Sequence, residues 1–226
     1  MLLAIDTATR WASLALLDNT GLIAETNWRC LGNHTVEVLP TIAQMMKRAQ
    51  AQPADIKAIA VAKGPGSFTG LRIGMSIAKG FCLALNVPII AIPTLDVIAY
   101  AVGDPGGLVY AVLELGRNRI CVSAYQFADG LPVQQGDALY VASSEWQVVA
   151  TEPVLLIGEI STDLAERLLK QPDADNISIS SLAASIRRAG YLAELAWQRL
   201  EKGQVDDLDT TSPTYLHLPT SGSQPG

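Results

Sequence analysis

Residues 1–28, MLLAIDTATRWASLALLDNTGLIAETNW, decide how the rest of the chain is read. An apolar run over 1–5 ends on an acid, Asp6, followed by Thr7, Ala8 and Thr9. Two further strand-like runs, 11–17 and 22–28, flank Asp18-Asn19-Thr20-Gly21. Asn and Gly tolerate positive φ, so this tetrapeptide closes a hairpin. The chain therefore opens as a three-stranded antiparallel meander with an acid and hydroxyls at the end of its first strand.

Working outward, residues 34–50 carry Val38, Leu39, Ile42, Met45, Met46 and Ala49 at helical spacing. Asn33 or Thr35 is placed to cap that helix, and Pro40 sets a slight kink. A continuous apolar run at 56–62 reads as a buried parallel strand. The loop Gly64-Pro65-Gly66-Ser67-Phe68-Thr69-Gly70 leads into a helix at 69–85, then a strand at 88–92 and a helix at 94–101. This order makes one α/β lobe. Gly103-Asp104-Pro105-Gly106-Gly107 is a linker. After it the opening pattern returns: a strand at 108–113 ending on Glu114, a turn at 116–118, a strand at 119–127, the turn Asp129-Gly130 and a strand at 131–135. The recurrence, roughly a hundred residues later, reads as an internal duplication. A strand at 154–157, a helix at 161–169 and a long helix at 182–202 follow, the last capped by Ser180 or Ser181 and stopped by Gly203. The expected organisation is an N-terminal lobe, 1–102, a C-terminal lobe, 103–218, and a disordered tail, 219–226.

The chain has 226 residues, nearly half of them apolar, a net charge of −6 and a pI of about 4.9. A protein that holds nucleic acid by itself carries a basic stripe. Lys47–Arg48, Arg117–Arg119 and Arg187–Arg188 read instead as solvated faces. Cys30, Cys82 and Cys121 are odd in number and far apart; Cys82, in an apolar helical pattern, and Cys121, in a strand pattern, read as small buried hydrophobes in a reducing compartment. The start has no basic region and is interrupted by Asp6, unlike a signal peptide. No apolar run reaches the ~18 residues of a membrane span. A cytoplasmic protein is expected.

The loop at 64–70 joins a strand to a helix, so its glycines and the helix N-terminus could hold an anion or phosphate. Asp6, Thr7, Gly64, Gly66, Ser67, Thr69 and Gly70 are accordingly the candidates for a nucleotide or anion site. The competing reading is that the glycines permit close packing and that Asp6 and its hydroxyls satisfy strand-end N–H groups. The loop is not a Walker A motif. In the second half the matching turn, Glu114-Leu115-Gly116-Arg117, is degraded. His34 and His217 belong to no metal-spaced cluster, and Ser67 has no His partner. The expectation is no metal, no catalytic residue and no required cofactor, with weak ATP or ADP binding allowed.

The helix at 69–85 is apolar nearly all round, its polar residues confined to a stripe of Arg72, Ser76 and Lys79. A second surface is therefore expected to cover it. With the helix before it, it defines a candidate partner interface of Val38, Ile42, Met45, Met46, Leu71, Arg72, Gly74, Met75, Ala78 and Phe81.

The segments MLLAIDTAT (1–9), HTVEVLP (34–40), GPGSFTGLRIGMSIAKG (64–80), Val87-Pro88 with Pro93-Thr94-Leu95, and Pro213-x-Tyr215-Leu216 resemble the bacterial TsaB (YeaZ) family. The resemblance implies an actin-like (ASKHA, ribonuclease H-like) α/β fold with two related lobes. It implies a non-catalytic partner in making N6-threonylcarbamoyladenosine in tRNA, docked by its first two helices on a catalytic paralogue, TsaD. The resemblance also implies that the small ATPase TsaE joins that pair, with a homodimer allowed in isolation and tRNA reached only through the complex. The paralogue's metal-binding histidine pair aligns with Thr94 and Ile98. His217 stands where the family has Arg, and Glu114-Leu115-Gly116-Arg117 replaces a more polar turn. The alternative reading is a weak ATP-binding phosphotransferase or ATPase built on Asp6, Thr7 and the 64–70 loop. A protease has no nucleophile–base pair to support it.

Overall fold

The computed structural model describes residues 1–30 and 32–215. The expected tail, 219–226, and His217 lie outside the described residues.

Two five-stranded mixed sheets make the framework. The first contains β1 (Leu2–Asp6), β2 (Trp11–Asp18), β3 (Gly21–Arg29), β4 (Ala58–Gly64) and β5 (Ile89–Pro93), in the order β3-β2-β1-β4-β5. Between these strands run α1 (His34–Arg48) and α2 (Phe68–Leu85), and α3 (Thr94–Tyr100) follows β5. The second sheet contains β6 (Leu108–Glu114), β7 (Arg119–Ala128), β8 (Leu131–Ala142), β9 (Val154–Gly158) and β10 (Ile177–Ile179), with α4 (Thr162–Leu168) between β9 and β10 and α5 (Ala189–Glu201) after it. Its order is β10-β9-β6-β7-β8. Read from the meander inwards, both sheets have the same topology, and in both the first strand pairs antiparallel with the second and parallel with the fourth. The duplication is therefore a property of the fold.

A local signature repeats with it. The fourth strand of each sheet ends on a glycine in a positive-φ conformation, Gly64 (+112°) and Gly158 (+116°). Three residues later comes a serine, Ser67 or Ser161, whose hydroxyl accepts the N–H of Gly70 or Leu164 and caps the next helix. A left-handed residue turns the chain off the strand at little cost only when it is glycine.

Alternating side chains give each sheet two faces. Leu3, Ile5, Leu14, Leu16, Ile59 and Val61 face α1 and α2. The opposite face, Leu2, Ala4, Ala15, Ala58, Ala60 and Ala62, is small, and Ala189, Leu192, Ala193 and Ala196 of α5 pack against it. The chain has thus sent the last helix of its second half to the first sheet. The reverse also holds: Leu95, Ile98 and Ala99 of α3 pack on Val109, Ala111, Leu113 and Cys121 of the second sheet. The two halves exchange their last helices.

This exchange corrects the expected lobe boundary. The 103–107 linker separates the sheets, but a unit of 103–218 would leave out α3 and include a helix packed elsewhere. The long helix expected at 182–202 is also corrected, because α5 begins only at Ala189. Ser180 and Ser181 do not cap it: the Ser180 and Ser185 hydroxyls pair with each other, and Ser181 accepts the Ala184 N–H. Arg188 is extended, at φ −120° and ψ 130°. The strand expected to end at 135 continues to Ala142, with a register shift opposite Val122–Ala124. β10 had no expected counterpart. α2, with 18 residues, is long and apolar enough to match a bilayer span, yet its Leu71, Met75, Ala78 and Cys82 are buried. The three cysteines are free and buried, Cys82 and Cys121 as expected, and burial pushes the Cys82 thiol up to about 11.

Candidate functional site

Asp6, at the end of β1, is fully buried. Its Oδ1 accepts the Ala8 N–H at 2.9 Å. Its Oδ2 accepts from Nε of Arg187 at 2.9 Å. The same guanidinium donates through Nη1 to Glu159 Oε1 at 2.8 Å and through Nη2 to Thr9 Oγ1 at 2.9 Å. Thr9 in turn donates to Glu159 at 2.7 Å. The Arg187 side chain is 2% exposed. Burial by itself pulls the Arg187 guanidinium down, but the charges of Asp6 and Glu159 outweigh that and hold it above its ordinary value.

Arg187 was read from the sequence as part of a solvated face, and the structure reverses that reading. Nothing in the local sequence marks it, since Ser-Ile-Arg-Arg-Ala-Gly looks like the interior of a surface helix.

The candidate anion-site residues are brought together but mostly turned on one another. The Thr7 hydroxyl, buried, donates to the Gly70 carbonyl at 2.8 Å. The Ser67 N–H donates to the Ala8 carbonyl at 2.6 Å. A Cβ on Gly66 would overlap the Ala8 carbonyl, one on Gly70 the Thr7 carbonyl, and one on Gly74 the Thr7 hydroxyl. A Cβ on Gly64 would press on the carbonyl of Thr214. The glycines thus let α2 and its loop lie directly on the Asp6–Thr9 turn, which is the close-packing reading. Asp6 and Thr7 are corrected as ligand-facing groups, being consumed by Arg187 and Gly70. Gly66 and Ser67 alone of the seven line the cleft, and Thr69 is exposed.

That cleft has a volume of about 570 Å³ and is bounded by Arg10, Ser67 and Phe68 on one side and Glu114, Leu115, Tyr140 and Glu159 on the other. Arg10 and Glu114 bridge it at 2.9 Å, with side chains 53% and 34% exposed. Tyr215 closes its rim, stacked on Phe68 at 4.9 Å and accepting from Arg72 Nε at 2.8 Å. The metal–nucleotide of an actin-like enzyme would need a free acid at the end of β1. Asp6 is already neutralised, so the residues present do not fit that group. Thr94 and Ile98 are both buried; the Thr94 hydroxyl has no hydrogen-bond partner among the described residues, and Ile98 packs on the second sheet.

The expected interface needs a second correction. Val38, Ile42, Met45, Met46, Leu71, Gly74, Met75 and Ala78 are buried in the protein's own core. A partner cannot desolvate side chains that are already dry. Of the ten, only Arg72 is exposed, and Phe81 is half-buried. The outward faces of the two helices instead form a shallow groove lined by Leu39, Ser76, Ile77, Gly80, Phe81 and Ala84. Val36 (65% exposed) and Leu83 (73%) lie on the same two helices.

Two sheets of one topology, facing each other across a cleft and joined by exchanged helices, make this an actin-like α/β protein, with its strand-end acid sealed by an internal arginine. Residues 29–138 match the family described as TsaD: tRNA N6-adenosine threonylcarbamoyltransferase. The chain is 31% identical over 220 residues to the tRNA threonylcarbamoyladenosine biosynthesis protein TsaB of Bacillus subtilis, covering 96% of this chain and 94% of that one. It is 37% identical to TsaB of Haemophilus influenzae over 228 residues, covering 95% and 92%. The solved structure of YeaZ from Pseudomonas aeruginosa superposes with a TM-score of 0.79 at 24% identity, over 95% of this chain and 99% of that one. The chain belongs to the TsaB family.

Proposed function

We propose that this chain is the non-catalytic, activating subunit of the machinery that makes N6-threonylcarbamoyladenosine in tRNA, working in the cytoplasm and docking on its catalytic paralogue, TsaD. The pathway follows from the names its relatives carry. The observation that carries the docking is the groove between α1 and α2, whose walls are almost wholly carbon and which no described segment of the chain covers. A stable interface buries about 1,600 Å² and rests on a few central apolar anchors. Leu39, Ile77 and Phe81 are suited to that role, with Gly80 and Ala84 admitting a close neighbour. The matched Asp6–Arg187 pair supports a subunit without chemistry of its own. The net charge of −6 suits one that meets tRNA through the complex. TsaE would join the assembled pair, and the same groove would serve a homodimer when TsaD is absent.

The test is co-expression with TsaD. Gly80→Arg and Ala84→Asp change exposed positions, the first with open space around it, unlike Gly74 or Ala78, where a charge would enter the core. Each is expected to weaken docking by about 2 kcal/mol or more, with a melting temperature close to that of the parent. Normal co-purification of both variants would refute the reading. Turnover of ATP by the isolated chain, abolished by Asp6→Ala, would favour the phosphotransferase alternative.

A further inference from the structure

We infer that Arg187 is a tethered counter-cation that fixes the angle between the two lobes. Its three anchors come from different parts of the fold. Asp6 ends β1 of the first sheet, Thr9 lies in the turn that follows, and Glu159 directly follows β9 of the second sheet. One planar guanidinium therefore ties the front edges of both sheets, donating through all three of its nitrogens. Its side chain is 2% exposed, so solvent ions do not screen the attraction. The second bridge across the cleft, Arg10–Glu114, is largely exposed and correspondingly weak.

Two further features fit a lock. The joint on which the lobes would turn is the contact of the exchanged helices α3 and α5, where Tyr100 and Tyr191 meet edge to face at 6.1 Å. A joint of packed helices permits sliding or rotation unless something else pins it. The segment before α5 is also built to deliver the arginine. Residues rich in Ala, Leu and Ile forgo helix until Ala189, and Arg188 is extended and anchored to Glu25, while the Ala189 N–H binds Ser13 Oγ at 2.6 Å. The lock holds the cleft at one width whether or not anything occupies it, so the outer helices are presented to a partner in one arrangement. The lock is a property of the chain alone and is the same whichever partner docks.

The experiment is a spin–spin distance measurement on the full chain, with nitroxides on Arg48→Cys in α1 and Glu166→Cys in α4, both exposed. The native cysteines are buried and do not compete for label. The parent should give one narrow distance distribution. Arg187→Met should broaden it and shift it to longer distances. Glu159→Ala cuts the Arg187 and Thr9 ties to the second lobe together and leaves Arg187 neutralised by Asp6. It should therefore stay cooperatively folded and still broaden the distribution. Glu114→Ala should leave the distribution as in the parent. A parent-like distribution in Glu159→Ala would overturn the lock, whatever happens to the fold of Arg187→Met. Equal broadening in Glu114→Ala would also overturn it.

Discussion

Asp6 and Glu114 occupy the same place in the two halves, the last residue of the first strand of each sheet, and each is paired with an arginine at 2.9 Å. Their surroundings differ completely. The Asp6 and Arg187 side chains are 0% and 2% exposed, while those of Glu114 and Arg10 are 34% and 53% exposed. The duplication thus kept the acid and the pairing in both halves but sealed only one. Equal distances do not mean equal energies. In water an ion pair competes with hydration and salt, whereas in a dry site removing the cation strands the acids it held.

The largest expected effect follows directly. Arg187→Ala leaves Asp6 and Glu159 without their shared cation and should cost about 3–5 kcal/mol; Asp6→Ala, which leaves Arg187 paired with Glu159, should cost less, and Glu114→Ala about 1 kcal/mol or less. Denaturant midpoints of the three variants would show this, and similar losses in all three would break the comparison. An intermediate effect separates two glycines of α2. Gly74→Ala drives a methyl into Thr7, just behind the sealed site, and should cost about 1–3 kcal/mol. Gly80→Ala meets open space and should stabilise the free chain by up to about 1 kcal/mol through helix propensity.

The smallest effect concerns Asp96 in α3, which accepts the Tyr125 hydroxyl at 2.8 Å. Burial raises its carboxyl above the ordinary value, and the Tyr125 bond offsets this only in part. The folded state therefore holds the proton more tightly than the unfolded one, so stability falls as pH rises from the unfolded pKa through the folded one. Asp96→Asn should melt higher than the parent at neutral pH, with the difference shrinking as the pH falls below that window.

Much of the framework was legible because strands and helices announce their period. The meander, the apolar strand before Gly64 and the doubled strand–acid–turn order all follow from local pattern. So did the sealed turn, in the reading that glycines at 64–70 serve close packing. Three things were not legible. The repeated Gly-x-x-Ser at 64–67 and 158–161 was on the page but was overshadowed by the richer glycine content of the first copy. Residues 182–188 have helical propensity, and a tertiary ion network overrode it, so Arg187 could not be located from its neighbours. On α2, periodicity showed that all sides were apolar but not which side met the sheet. Large side chains suggested the partner face, yet Leu71 and Met75 are inside, and the outward stripe is marked by Gly80 and Ala84.

The traded helices α3 and α5 bear on how such a duplicated chain can change over time. Each sheet's alanine-lined or aliphatic floor is roofed by sequence encoded in the other repeat, so neither copy is free to drift alone. A bulkier residue at Ala58 or Ala60 must be answered in a helix more than a hundred positions downstream, roughly at Ala193 or Ala196. Each half thus depends on the other's helix to close its core, so neither repeat is expected to fold alone.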